Sequence, residues 1–388
     1  MTRIEIHNIK KHFYSGTHRV RSPEATLSEI EPLMEKIGVT EVRDITGLDR
    51  LGIPVFSAIR PSAARGAVSV HAGKGIDPLN ARVSAMMEAI ERFSAEKPQC
   101  MEFASYEEIG LTRAVDPRDL ILPQPLAMGE KLQWISSWDI LNDEEVYLPA
   151  NAVLHPYNSQ GIGTQIFRSD TNGLASGNVM EEAILHALFE VVERDALSCA
   201  EQGRSLGKRL RVDSGPVREL LDIFENQGVA IHLWLTDGKT RLPTVAAAAD
   251  DTVTKDPGLL VIGCGTHASP EIAALRAITE VAQSRASYLE GGRSTENRKM
   301  ILEKAGYERL KRINSMWFAD APEVNISDVP DLSTDSLDGD IRAVLDEVKV
   351  HADRVCISDL SVTPVPVVRA VIPGFEISYM DPTRVRRD

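Results

Sequence analysis

At 388 residues, 43% hydrophobic and 26% charged, the chain has a globular composition with enough apolar material for a sizeable core, and its length as such suggests two or three domains. A net charge of -14 disfavours nucleic acid and anionic membrane surfaces as partners, while leaving room for a local basic pocket. The four scattered cysteines (Cys100, Cys199, Cys264, Cys356) form no C-x-x-C, and neither an apolar leader nor a run of about 18 apolar residues is present, so zinc, a disulfide framework, secretion and membrane spanning are not expected and a reducing, cytoplasmic setting is.

In chain order, residues 1–24 carry Lys10, Lys11, His12, His18, Arg19 and Arg21 and predict a basic, loop-like arm, a solvated tail on the plainest reading. A Ser-Pro-Glu start at 22–24, apolar spacing at Leu27, Ile30, Leu33, Met34 and Ile37, and Gly38 as a stop predict a helix. Strands are expected over 39–47, 53–61 and 66–75, followed by a helix over 78–95. Residues 101–165 are Pro-rich and irregular with two short strands, a connecting layer within one domain spanning 25–388. A glycine-rich turn at 171–178 leads into a long helix, a second helical stretch follows at 217–228, and strands are expected over 229–237, 243–250 and 259–267. A third long helix opens on Ser269-Pro270-Glu271. Residues 294–346 are polar and predict a variable helical or mobile segment, before closing strands at 352–360 and 365–375. No solenoid period appears; what recurs is loop, long amphipathic helix, strand.

Two of the helices share E-x-x-E-R, as Glu88-x-x-Glu91-Arg92 and Glu190-x-x-Glu193-Arg194. At about 100° per residue, Ser84, Glu88 and Glu91 fall on one narrow face. On the second helix Glu182, Glu190 and Glu193 line one side opposite a broad apolar stripe, while Glu181 and Asp195 point elsewhere. A single carboxylate stripe is ordinarily a wet helix face. Two of them, with few basic partners beyond Arg92 and Arg194 and no i, i+4 lacing, also suit hard divalent cations, which take oxygen ligands and share them with nucleotide phosphates. If the helices face each other, five glutamates converge, enough for two or three Mg2+ on a triphosphate.

Known phosphate cradles are missing: there is no G-x-x-x-x-G-K-[ST] and no G-x-G-x-x-G after a strand. Gly177 and Asn178 do stand just before a helix start, where N–H groups and the dipole favour phosphate. There is no G-x-S-x-G; His71, His186 and His267 read as structural or polar-lining, and Cys199 and Cys264 as buried small hydrophobes.

The stretches DITGLDRLGIPVFSAIRP, VSVHAGKG, SAMMEAIER, TNGLASGN, EEAILHALFEVVERDA and GCGTHASPEIAALRAITEVAQSR together resemble the YcaO family, and in the family's order. The resemblance implies an α+β fold of mixed sheets whose long helices form an ATP clamp, with ATP and Mg2+ as cofactors. It places Ser84, Glu88 and Glu91, then Asn178, Glu182, Glu190, Glu193 and Arg194, at the family's nucleotide and metal contacts. Gln283 and Arg285 fall in its Q-S-R signature, just after Glu280. Arg19 or Arg21 and Thr26 match the basic and hydroxyl contacts of its N-terminal segment. The implied metal set is Glu88, Glu91, Glu182, Glu190 and Glu193, with Glu88, Glu193, Arg194 and Arg285 as catalytic groups. Met87 replaces an arginine found in some relatives, so a phosphate contact would come from Arg82 or the basic arm.

Family members phosphorylate a peptide backbone amide oxygen, after which sulfide yields a thioamide or a neighbouring Cys or Ser yields an azoline. Azoline-forming members commonly end in P-x-P-x-P; here only Pro364 and Pro366 occur, well before the end, and no peptide-clamp domain is recognised. The chain looks like the archaeal members that thioamidate a glycine of the methyl-coenzyme M reductase alpha subunit. A TfuA-type sulfur-delivery partner and a homodimer are expected at family level. An azoline-forming cyclodehydratase and a non-catalytic nucleotide-binding scaffold are the competing readings.

Overall fold

The computed structural model describes residues 3–97, 99, 101–291 and 293–386, so Cys100 lies outside the described residues. The elements run α1 (Pro23–Ile30), β1 (Glu41–Asp44), β2 (Val55–Ile59), β3 (Val70–Lys74), α2 (Pro78–Ala95), β4 (Glu102–Ser105), α3 (Tyr106–Ile109), β5 (Lys131–Asp139), β6 (Glu144–Pro149), α4 (Ala150–Val153), β7 (Leu174–Ser176) and α5 (Met180–Gly203). They continue through β8 (Lys208–Arg211), α6 (Pro216–Asn226), β9 (Val229–Leu235), β10 (Thr244–Asp251), β11 (Ile262–Thr266), α7 (Pro270–Glu290), α8 (Arg293–Ala305), α9 (Tyr307–Ile313), β12 (Glu323–Asn325), α10 (Leu337–Val348), β13 (Cys356–Asp359) and β14 (Val367–Val371). The expected α+β class with mixed sheets is what forms.

Among the described residues there are three sheets: β1-β2-β3, β11-β10-β9-β8-β12, and β4-β5-β13-β14-β7 with β6 on β5. Pairing is antiparallel apart from β12 on β8. Strands β3, β7 and β11 are all outermost in their sheets, and each feeds directly into a long helix. Glycine makes two of these junctions possible. A Cβ on Gly73 would sit 2.0 Å from the Ala85 nitrogen, and one on Gly265 2.3 Å from the Ala273 oxygen, so strand and helix touch backbone to backbone.

The helix starts follow the chemistry expected of them. Ser22 and Asp77 cap α1 and α2 through their side chains, with Pro23 and Pro78 behind them; Pro270 opens α7. Helix α6 buries Val217, Leu220, Leu221 and Phe224, the i, i+3, i+4, i+7 spacing of a single apolar face. Phe224 is wholly buried, a site where truncation to Ala costs about 3–5 kcal/mol.

One expectation is corrected. The basic arm is docked, not solvated: His12 and Phe13 N–H groups donate to the Arg19 carbonyl, closing a hairpin, and Leu337 N–H donates to the Ile9 carbonyl. The Lys11 ammonium lies 2.7 Å from Asp340, both side chains fully buried, and Asp340 also accepts from Thr334. Buried charges persist when paired and hydrogen-bonded in this way. The two strands expected within residues 101–165 form as β5 and β6, and with β4 they join the largest sheet. Residues 294–346 take the helical alternative in α8, α9 and α10, with β12 paired on β8 and α10 against α5. No helix among the described residues is long and apolar enough to cross a membrane.

Candidate functional site

Helices α2, α5 and α7 and the N-terminal arm enclose a cleft of about 410 Å³. Each helix turns the same three positions, i, i+4 and i+7, into it: Ser84, Glu88 and Glu91; His186, Glu190 and Glu193; Arg276, Glu280 and Gln283. At about 100° per residue these positions span an arc of about 60°. The arm adds Arg19, Arg21 and Thr26, β3 adds Lys74, and the turn into α5 adds Gly177 and Asn178. Arg92, Glu182 and Arg194 complete the polar lining.

The carboxylates do not form a wet face. Glu91, Glu182 and Glu193 are 7%, 3% and 3% exposed. Glu182 accepts from the Val20 N–H at 2.6 Å on one oxygen, and from the Asn178 N–H and Nδ2 at 2.9 and 2.8 Å on the other. Thr26 Oγ1 in turn donates to Asn178 Oδ1 at 2.7 Å. Glu182 therefore ties the arm to the first turn of α5, with both of its oxygens engaged. Glu193 accepts from the Thr266 N–H at 3.0 Å and pairs with Arg194 at 3.2 Å. Gln283 donates to the Ala72 carbonyl at 2.8 Å, and Lys74 pairs with Glu280. An i, i+4 pair absent from the expectation is present, Arg92 with Glu88 at 3.4 Å.

Burial, with Glu190 and Glu88 nearby, holds the Glu91 carboxyl well above the ordinary carboxylate range, against the pull of Arg92. Burial raises Glu190 as well, opposed by Arg194 and Arg92. Burial works against the charge of Arg92 and Arg194, yet the surrounding glutamates hold both guanidiniums firmly protonated. Despite this, Arg92 Nε and Nη1, Arg194 Nε and Arg276 Nε are buried without a hydrogen-bond partner among the described residues. Orphaned guanidinium N–H groups beside desolvated carboxylates fit an anion and a cation arriving together, as a nucleotide polyphosphate and a hard divalent ion would. The side chains as they stand do not form a closed metal cage: among the described residues no three His, Cys, Asp or Glu groups converge to ligand distance.

Of the residues singled out from sequence, Arg19, Arg21, Thr26, Ser84, Glu88, Glu91, Asn178, Glu182, Glu190, Glu193, Arg194 and Gln283 line this one cleft. Arg285 does not. It is fully buried on another face of α7, donating to Asp49 at 2.6 and 3.0 Å and to Asp251 at 3.1 Å. Arg82 also points away, pairing with Glu31 at 2.7 Å. Lys74 and Arg276 were missed. The i, i+4, i+7 register of the two E-x-x-E-R helices, carried onto α7 at Gln283, would have found Arg276.

The YcaO family profile, described as "YcaO cyclodehydratase, ATP- and Mg2+-binding", matches residues 72–376. A Methanothermobacter thermautotrophicus protein described as uncharacterized is 47% identical over 374 residues, covering 94% of this chain and 97% of its own. An uncharacterized protein from the tfuA 3' region of Rhizobium leguminosarum bv. trifolii is 32% identical, covering 92% and 89%. The structure of YcaO from Methanopyrus kandleri, bound with AMPPCP and Mg2+, superposes with a TM-score of 0.82 at 30% identity over 98% of each chain. The chain belongs to the YcaO family, whose description is ATP- and Mg2+-binding.

Proposed function

We propose that this cleft binds ATP with Mg2+ and activates a protein backbone amide for thioamidation, the target being a glycine of the methyl-coenzyme M reductase alpha subunit. The observation that carries the nucleotide part is the set of unpartnered, buried N–H groups on Arg92, Arg194 and Arg276 beside Glu91 and Glu190. The amide oxygen attacks the γ-phosphorus and ADP leaves; hydrosulfide then adds to the amide carbon, and phosphate departs with the original oxygen and the proton. The products balance as thioamide, ADP and phosphate.

Glu88, Glu91, Glu190 and Glu193 are the residues that would hold Mg2+, and Glu182 would act by fixing the arm. Bound Mg2+ would supply charge neutralisation on the triphosphate. Arg194, held by Glu193 at 3.2 Å, offers its free Nε–H to charge developing on the transferred group. Arg19 and Thr26 on one side and Ser84, Asn178 and Gln283 on the others orient the nucleotide, with Arg21 at the rim, paired to Glu29. The thioamide outcome rests on the resemblance of the sequence to the archaeal thioamidating members; the similarity to the Methanothermobacter protein and to YcaO from Methanopyrus kandleri over nearly their whole length fits an archaeal-type member. The tfuA-region relative supports a TfuA-type partner for sulfur delivery, and a homodimer completes the reading.

The family's description as a cyclodehydratase favours azoline formation as the second reading. Intact-mass analysis of the target after incubation with ATP, Mg2+ and sulfide decides between them. Exchange of O for S adds about 16 Da, whereas ring closure with loss of water removes about 18 Da. No mass change on any target, with ATP bound but not consumed, would leave only a binding protein.

A further inference from the structure

We propose that His186 is a positioning residue for Arg276, holding its guanidinium on the phosphates of the bound nucleotide; this rests on the nucleotide reading above. His186 occupies the first cleft position of α5, and Arg276 the same position of α7. His186 Nε2 lies 3.0 Å from Arg276 Nη2. A guanidinium keeps its protons, so Arg276 donates, Nε2 accepts, and the neutral ring carries its hydrogen on Nδ1. Burial, then Arg276, Arg19 and Lys74, keep the imidazole uncharged by depressing its pKa far below the usual histidine value, against a hydrogen bond to the Ser176 backbone.

A neutral acceptor is what this position requires. Glu280 stands four residues beyond Arg276 on α7, the spacing at which a helical Arg and Glu pair, although Lys74 already holds Glu280. Without a competing acceptor, Arg276 would fold back onto Glu280 and its charge would be answered internally. A carboxylate at 186 would neutralise Arg276 outright, and a serine, as at the matching Ser84 of α2, would be too short to reach. His186 fixes one edge of the guanidinium and adds no charge. Among the described residues Arg276 Nε is then left buried without a hydrogen-bond partner, and Arg19 and Lys74 add positive charge around the same ring. Arg276 and Arg19, with Lys74 shared with Glu280, surround an uncharged ring and form a seat for phosphate.

The test is a double-mutant cycle in the full chain, read by calorimetric titration of ATP and of adenosine at saturating Mg2+. His186→Leu should weaken ATP about tenfold, the loss of one hydrogen bond to a charged group, and leave adenosine unchanged. His186→Gln, which keeps an acceptor, should stay within about threefold of wild type. In an Arg276→Ala background the His186→Leu loss should vanish, since there is nothing left to position. Losses that multiply in the double variant, adenosine weakened as much as ATP, or wild-type ATP affinity in His186→Leu each overturn the positioning role while nucleotide binding stands. Wild-type protein that binds no ATP overturns both.

Discussion

Removing the Arg285 guanidinium separates a structural arginine from a catalytic one. The side chain is wholly buried and donates three hydrogen bonds, two to Asp49 and one to Asp251. Asp49 follows β1 and Asp251 ends β10, so Arg285 knots both to α7. In Arg285→Ala the two buried carboxylates must share Arg50, which already binds Asp251 at 2.7 Å. Three charged hydrogen bonds at their separate values would over-count, because Arg50 and the Thr254 N–H still serve Asp251. Breaking a buried pair by deleting one partner costs about 3–5 kcal/mol, at least about a fifth of an ordinary domain's stability of about 5–15 kcal/mol. Urea unfolding should show a lower midpoint at unchanged slope, while ATP affinity of the folded variant stays within about threefold of wild type. The deficit is also pH-dependent. Burial alone would raise the Asp251 carboxyl, but Arg50, the Thr254 N–H and Arg285 outweigh it and hold the group well below its ordinary 3.8. A depressed carboxylate stabilises the fold above its unfolded pKa, and that contribution is lost as pH falls through the folded value. The gap between wild type and Arg285→Ala should therefore narrow below about pH 4. A variant with wild-type urea resistance and ATP affinity down more than tenfold would refute the reasoning and return Arg285 to the cleft.

Glu88→Gln and Glu193→Gln should each lower ATP turnover on the order of a hundredfold with the fold intact by circular dichroism; undiminished, tight ATP binding in both would favour a non-catalytic nucleotide scaffold. Because burial raises Glu91 and Glu190 above the ordinary carboxylate range, binding Mg2+–ATP through them would favour their ionised forms and release the protons they carry. Binding should therefore weaken as pH falls from neutrality, and calorimetry in buffers of different ionisation heat should report the release; a buffer-independent heat would contradict it. Lys11→Met leaves Asp340 buried and unpaired, costing about 3–5 kcal/mol. Hydrogen exchange should then speed up across residues 9–21 and ATP affinity should fall with it, whereas Lys11→Met/Asp340→Leu should restore both; slow exchange in Lys11→Met would show that the pair does not pin the arm.

Much of the site was legible because two helices repeat one arithmetic. Ser84, Glu88 and Glu91, like Glu190 and Glu193, share a face by helical periodicity, and that face does meet the cleft. Periodicity could not say that the face is buried, because burial depends on which surfaces the three sheets bring together. It also could not show that Glu182 spends both oxygens on backbone and side-chain N–H groups from the arm and from Asn178. Arg285 shows the opposite failure. It lies two residues, about 200°, from Gln283, so the rule that located the glutamates turns it away from the cleft. A signature read as a string overrode the geometry. The arm misled for a different reason: Lys11 finds Asp340 some 329 positions later, and no local pattern encodes such a partner.

The three strand–helix units explain how one cleft can attract ions of both signs. At position i+4 all three helices carry glutamate; at i they carry Ser84, His186 and Arg276, and at i+7 only the third lacks glutamate. Helices α2 and α5 place Glu91 and Glu193 at i+7, and their i+8 arginines stay beside the glutamates. Helix α7 has Gln283 there and Arg276 at i, and its one cleft carboxylate, Glu280, is answered by Lys74 from β3. A carboxylate-rich pair of helices thus faces a helix whose net contribution, with Lys74 and Arg19, is positive. Had α7 repeated the glutamate at i+7, a further like charge would enter a desolvated space that already holds Glu91, Glu190 and Glu193. The departure of the third unit from the pattern of the first two makes the cleft asymmetric, acidic toward α2 and α5 and net positive toward α7.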